Sequence, residues 1–298
     1  MNGQTAQRLH LPDGTAGSAP DAVVITPRIA GWTYAGLRVI RLGPGESRVI
    51  QTGTRELAVL PLSGSAVVEC EGERFELAGR ESVFSQVSDF AYVPIASEVR
   101  ITSAGGGQFA LPSAEATRRL PPAYGAAADV PVEVRGAGPS TRQLNNFLAP
   151  QTFPSDRLTV VEVLTPAGNW SSYPPHKHDE ASEHEAILEE IYYYRIAGED
   201  GFGLHRTYTL DGAIDETVAV RDGDVFLVPR GYHGPCIAAP GYDMYYLNVL
   251  AGPGAERSMA FCDDPAHHWV RETWADQPAD PRVPMTDSAG RVRPPPAG

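Results

Sequence analysis

Three observations predict an all-β fold made of two small barrels in tandem. Short segments rich in Val, Ile, Tyr and Phe recur about once every ten residues, with Gly, Pro or Asp between them. The 298-residue chain holds 30 Gly and 27 Pro, which favours many short strands over long helices. A faint internal repeat then divides the chain. Glu56 is followed eight residues later by Gly64, and Glu190 eight residues later by Gly198. Glu56 to Pro94 spans 38 residues and Glu190 to Pro229 spans 39. The contexts agree as well: ELAVLPLSG stands against EIYYYRIAG, and FAYVP against VFLVP.

The elements follow in order. Residues 1–20 are polar and contain Gly, Ala and Pro, so they read as a flexible N-terminus. Residues 21–130 read as the N-terminal barrel, with strands at ELAVLPL (56–62), SAVVEC (65–70), RFEL (74–77) and VRIT (99–102). Residues 131–275 read as the C-terminal barrel. Its opening stretch, VRGAGPSTRQLNNFL (134–148), is expected to hold a short turn or helix. Strands follow at RLTVVEVL (157–164), EIYYYRI (190–196), FGLHRTYTL (202–210), ETVAV (216–220), DVFLVP (224–229) and MYYLNVL (244–250). EASEHEAILEE (180–190) is the clearest helix candidate, an insertion between strands. Residues 276–298 hold six prolines and form a Pro-rich tail, since Pro blocks helix and central strand alike. A tail without fixed structure is favoured over one that docks on a neighbouring copy in a homo-oligomer.

Composition excludes several classes. With 24 Lys+Arg against 37 Asp+Glu the net charge is −13, which argues against a nucleic-acid partner, because phosphate backbones demand clustered cations. No apolar stretch approaches the roughly 18–20 residues of a membrane span, and the first residues show no apolar core of a secretory signal. The cysteines, Cys70, Cys236 and Cys262, are scattered and suit a reducing cytoplasm.

Histidines mark the chemistry. None of the eight falls between residues 11 and 175, yet His176, His178, His184, His205 and His233 crowd into the next stretch. On a strand, His176 and His178 share a face while Lys177 points the other way. Glu190 opens the strand EIYYYRI, and His233 follows the turn PRGYH. Three imidazoles and a carboxylate suit a divalent Zn, Mn, Fe, Co or Ni ion. Glu189 is adjacent; Glu190 is preferred because it directly precedes the aromatic strand and shares the phase of Glu56 in the repeat. The first half has no histidine within its barrel and cannot repeat this set.

Gly168 followed by His176-Lys177-His178 and Glu190, then Gly223 followed by Pro229-Arg230-Gly231-Tyr232-His233, resembles the two sequence motifs of the cupin superfamily. The segments NWSSYPPHKHD (169–179), LEEIYYYR (188–195), GDVFLVPRGYHG (223–234), GYDMYYLNVLAGP (241–253) and DDPAHHWV (263–270) narrow the likeness. They resemble the 5-deoxy-glucuronate isomerase family of inositol catabolism, bicupins related to the uronate ketol-isomerases. The resemblance runs from about residue 30 to 274. It implies an all-β bicupin of two tandem cupin (jelly-roll) barrels with short helical insertions, and a metal only in the second barrel. It also implies an aldose–ketose isomerase that converts 5-deoxy-D-glucuronate to 5-dehydro-2-deoxy-D-gluconate through an enediolate that the metal stabilises.

Such a reaction needs a general base and groups that hold a small sugar acid. His205, one strand after Glu190, is the candidate base. Tyr192 shares the face of Glu190 and, with Tyr246, is a candidate for the substrate hydroxyls; Tyr194 and Asn248 share those faces. The anionic substrate calls for a local cation, and Arg206 is the leading candidate beside Arg195 and Arg230. A cupin Fe(II) dioxygenase would use the same ligand set, and a non-catalytic sugar-binding bicupin is the rival outside enzymes.

Overall fold

The computed structural model of the chain describes residues 8–290. Among them, strands dominate and curl into sheets. One nine-stranded sheet is drawn from the strands between Asp21 and Gly125. A seven-stranded and a six-stranded sheet face each other in the second half. The seven-stranded sheet runs His10–Leu11, Val225–Val228, Glu189–Ile196, Met244–Ala251, Thr159–Thr165, Arg142–Asn146 and Val132–Arg135. The six-stranded sheet contains Asp215–Val220, Gly203–Tyr208, Tyr232–Ala238, His176–Lys177 and Cys262–Asp263, with Trp170–Ser171 paired beside them.

Alternation along the central strands sorts side chains into three cores. Leu57 and Val59 point into the first barrel, whereas Ala58, Leu60 and Leu62 point at the second half. Tyr192 and Tyr194 point into the second barrel, while Ile191 and Tyr193 join the layer between the halves. That shared layer contains residues from both halves, so the barrels are packed back to back through one apolar slab.

Several expectations are corrected. The opening residues are not loose where the structure describes them: His10–Leu11 pairs with Val225–Val228, and His10 Nε2 lies 2.8 Å from Asp224 Oδ2. Residues 1–7 lie outside the described residues. Strands 56–62 and 65–70 are one strand, Arg55–Cys70, with register shifts near Pro61–Gly64. The stretch 134–148 holds the end of the strand Val132–Arg135, a 3-10 turn at Gly138–Ser140 and the strand Arg142–Asn146. No helix forms over 180–190. That loop wraps the buried Glu185 carboxylate, which accepts Lys177 Nζ at 2.9 Å and the Asp179 and Glu180 amides at 2.7 and 3.0 Å. Two backbone amides and one ammonium thus close the loop around a single buried carboxylate.

The tail is likewise docked over 276–290, and on its own chain. Val283 and Met285 are buried in the slab between the halves. The Gln143 Oε1 atom accepts the Met285 and Thr286 amides at 2.6 and 3.0 Å. Residues 291–298 lie outside the described residues.

Candidate active site and metal centre

His178, Glu190 and His233 converge between the two sheets of the second barrel. Their ligand atoms all lie within 4.8 Å of one another, and all three residues are buried. Glu190 comes from the seven-stranded sheet, and His233 from the strand Tyr232–Ala238 of the other. The turn before His233 needs glycine. Gly231 has φ +91°, and a Cβ there would sit 2.7 Å from the Tyr208 carbonyl oxygen. The Gly231 amide donates to Asp179 Oδ2 at 2.7 Å, which ties this turn to the His176–Asp179 segment.

The tautomers favour a cation. His178 Nδ1 faces the Leu188 carbonyl at 3.0 Å, and His233 Nδ1 faces the Gly231 carbonyl at 3.1 Å. A carbonyl only accepts, so each Nδ1 carries the hydrogen and a neutral ring presents its Nε2 lone pair. Both Nε2 atoms turn to one carboxylate oxygen, Glu190 Oε2, at 2.9 and 3.1 Å. His233 Nε2 is buried there without a hydrogen bond. Lone pairs facing a carboxylate repel unless a proton or a metal ion stands between them. Burial alone raises the Glu190 carboxyl, but the two imidazoles outweigh it and hold it well below the usual carboxylate range. Burial lowers the His178 imidazole, and its bond to Glu190 more than reverses this.

His176 pairs in register with His233, and their ring centroids are 4.4 Å apart. It stands at the edge of the cluster rather than among the three converging donors. Burial, then the neighbouring His233 and His178, lower its pKa well below the ordinary value. A cavity of about 350 Å³ opens onto this group, lined by His176, His178, Glu190, Tyr192, Tyr246 and Asn248. The Tyr192 and Tyr246 hydroxyls meet at Ser172 Oγ, 3.3 and 3.1 Å away.

Two sequence-derived candidates are displaced. His205 is fully buried behind the cavity rather than on its wall. Its Nδ1 is 2.5 Å from the Tyr194 hydroxyl, its Nε2 is 2.9 Å from Thr207 Oγ1, and its ring stacks on Phe226 at 4.0 Å. Burial holds its pKa down to about 3. Arg206, one residue on, necessarily points outward; it lies over the Tyr208 ring and reaches Asp215 at the surface. Arg195 pairs with Asp222, and Arg230 sits at the surface near Asp211.

Sequence reasoning missed both cations of the cavity wall: Arg135, which is paired with Glu133, and Arg142. Arg142 lines the cavity together with Leu144 and Asn146, on one face of a strand expected to be turn or helix. Alternate charged, apolar and polar residues at 142, 144 and 146 were the available signal.

A seven- and a six-stranded sheet enclosing a His/Glu/His group, joined to a second barrel, define a two-barrel cupin. The chain belongs to the KduI/IolB family, whose model matches residues 11–270. It is 42% identical over 269 residues to the 5-deoxy-glucuronate isomerase of Geobacillus kaustophilus (strain HTA426), covering 89% of this chain and 96% of that protein. It is 38% identical over 251 residues to the 5-deoxy-glucuronate isomerase of Bacillus subtilis (strain 168), covering 83% and 92%. Its fold is similar to that of an IolB-like protein from Salmonella typhimurium LT2, with TM-score 0.83, 37% identity, and 88% and 99% of the two chains covered. Oxalate decarboxylase from Bacillus subtilis shares the fold at TM-score 0.62 and 14% identity, over 87% of this chain and 80% of that one.

Proposed function

We propose that this chain is a metal-dependent 5-deoxy-glucuronate isomerase, a cytoplasmic enzyme of inositol breakdown that converts 5-deoxy-D-glucuronate to 5-dehydro-2-deoxy-D-gluconate. The observation that carries the reading is the pair of imidazole lone pairs aimed at one buried carboxylate oxygen on a cavity wall. The names of relatives at 38–43% identity over most of the chain supply the substrate.

His178, Glu190 and His233 would hold a divalent ion, with His176 turning in from the adjacent wall as the fourth ligand. The second barrel alone is proposed to bind it; Leu57 occupies the place of Glu190 in the first. An ion held by these residues would supply Lewis-acid polarisation at the carbonyl end of the sugar. The reaction is a redistribution within one molecule. A hydrogen leaves the hydroxyl-bearing carbon next to the aldehyde, one arrives at the aldehyde carbon, and no atoms are gained or lost. Tyr192 and Tyr246 line the cavity and would orient the sugar's hydroxyls. Three free thiols fit a reducing compartment. No helix among the described residues is long and apolar enough to cross a membrane.

The test is an anaerobic assay on 5-deoxy-D-glucuronate, run on metal-loaded and chelator-stripped protein, with metal content measured in parallel. Turnover without oxygen, lost on stripping and lost in Glu190→Gln together with the metal, is expected. An absolute requirement for oxygen, or full activity in metal-free protein, would overturn the reading.

A further inference from the structure

Two arginines are buried among the described residues, and their surroundings differ. Arg80 is paired with the Glu162 carboxylate. Arg142 has no carboxylate partner among the described residues. Its Nη1 donates to the Ser140 carbonyl at 3.1 Å, and its guanidinium lies 5.6 Å from the centre of the Trp274 ring. The nearby Glu133 is engaged by Arg135 through two bonds of 2.7 and 2.8 Å. Burial brings the Arg142 guanidinium down to about 10, so it is still charged at neutral pH. A buried cation without a counter-ion is destabilising unless a ligand supplies the opposite charge. The residue is 5% exposed and lines the cavity of the His/Glu/His group.

A second orphan faces the same space. Asn248 Nδ2 is buried without a hydrogen-bond partner and its residue lines the cavity. The sheet sets the order of these groups. The strand of Glu190 is followed by that of Asn248, then Thr159–Thr165, then that of Arg142. Three strand spacings span roughly 14 Å along the sheet surface, and its curl brings both ends into one cavity.

We infer that Arg142 is the receptor for the substrate's carboxylate, with Asn248 donating to an oxygen midway and the aldehyde end held at the His178–Glu190–His233 group. The assignment rests on the isomerase reading and adds polarity to it. The acid end of the open-chain sugar binds three strands from the reacting end. Arg142 thereby sets selectivity for sugar acids over neutral sugars of the same shape, because a neutral ligand leaves the guanidinium buried and unpaired.

The experiment compares wild type, Arg142→Gln and Arg142→Lys, each with metal content and circular dichroism measured. The substrates are 5-deoxy-D-glucuronate and its uncharged carboxamide. Wild type is expected to prefer the acid strongly. Arg142→Gln should keep its metal, lose about a hundredfold in kcat/KM on the acid mainly through KM, and show almost no preference between the two. Arg142→Lys should recover part of the preference. An Arg142→Gln protein that keeps the preference for the acid overturns the assignment. Calorimetric binding of D-gluconate to wild type and Arg142→Gln separates the two proposals. If wild type turns over neither substrate the isomerase reading fails, while gluconate binding lost in Arg142→Gln still supports an anion receptor, and equal binding refutes it.

Discussion

Both ring nitrogens of His205 are committed, to Tyr194 and Thr207, and its ring is stacked on Phe226. A base must reach the substrate C–H, and this imidazole lies behind the cavity wall with a pKa held low by burial. His205→Gln should therefore leave kcat close to that of wild type when assayed with saturating metal. A loss in the range of about 10²–10⁴-fold would restore His205 to the chemistry. Residue type alone misled here, because an interior phase says that a side chain enters the barrel and not which side of the aromatic wall it reaches. Arg142 was hidden for the converse reason. Its strand reads RQLNN, without the Val, Ile and aromatic residues that mark sheet, since its two faces serve a polar cavity and a polar contact with the tail.

At the scale of elements, adjacent glutamates on one strand do opposite work. Glu190 faces the barrel interior, whereas Glu189 leaves the sheet toward the other half and accepts the Thr33, Tyr34 and Ala35 amides at 2.7, 2.7 and 2.8 Å. Glu56 does the same in reverse, accepting the Asp156, Arg157 and Leu158 amides at 2.8, 2.6 and 2.7 Å. The registers agree: Leu57 pairs with Val93 as Glu190 pairs with Val228. The structural counterpart of Glu56 is thus Glu189, one residue before the position that matched sequence spacings suggest. Glu190 joins the histidines because of its own inward phase and not because it echoes Glu56. Two neighbouring carboxylates before a strand of period two allow this slip, since one step reverses every side chain. Glu189→Gln should retain its metal, and lower stability by about 1–3 kcal/mol as charge-assisted bonds weaken. That corresponds to a fall of several degrees in Tm, read beside metal content. Loss of metal in that variant would reverse the assignment of the two carboxylates. The spacing of strands was legible from Val, Ile and Tyr runs, whereas the loop at 180–190 was not. Its Glu and Ala content suits a helix, but the loop folds instead around the buried Glu185 and its bond to Lys177.

For the whole molecule, the shared packing predicts that the two barrels unfold as one cooperative unit. The apolar slab between them draws on both halves and on Val283 and Met285 of the tail. Buried between the halves, Glu162 of the second meets Arg80 of the first, with Nη1 to Oε2 at 3.1 Å. Tyr245 donates to Glu162 Oε1 at 2.7 Å and Asn145 to Oε2 at 3.1 Å. Arg80 also donates to the Pro61 carbonyl at 2.9 Å. A pair enclosed in this way gives little or no net gain over apolar packing, but removing one member strands the other without water. Arg80→Met should cost about 3–5 kcal/mol, while Arg80→Met combined with Glu162→Met should recover much of that loss. Because the pair sits between the barrels, the loss should be felt by both. In denaturant, hydrogen exchange of the strand Arg55–Cys70 and of the strand Glu189–Ile196 should shift together in Arg80→Met, tracking one unfolding transition. Protection that falls in only one strand would show that the halves unfold separately and that the slab is a contact between independent domains. Joint unfolding would instead mean that the first barrel, without contributing a side chain to the His178–Glu190–His233 group, maintains the geometry of that group by holding the back of its sheet.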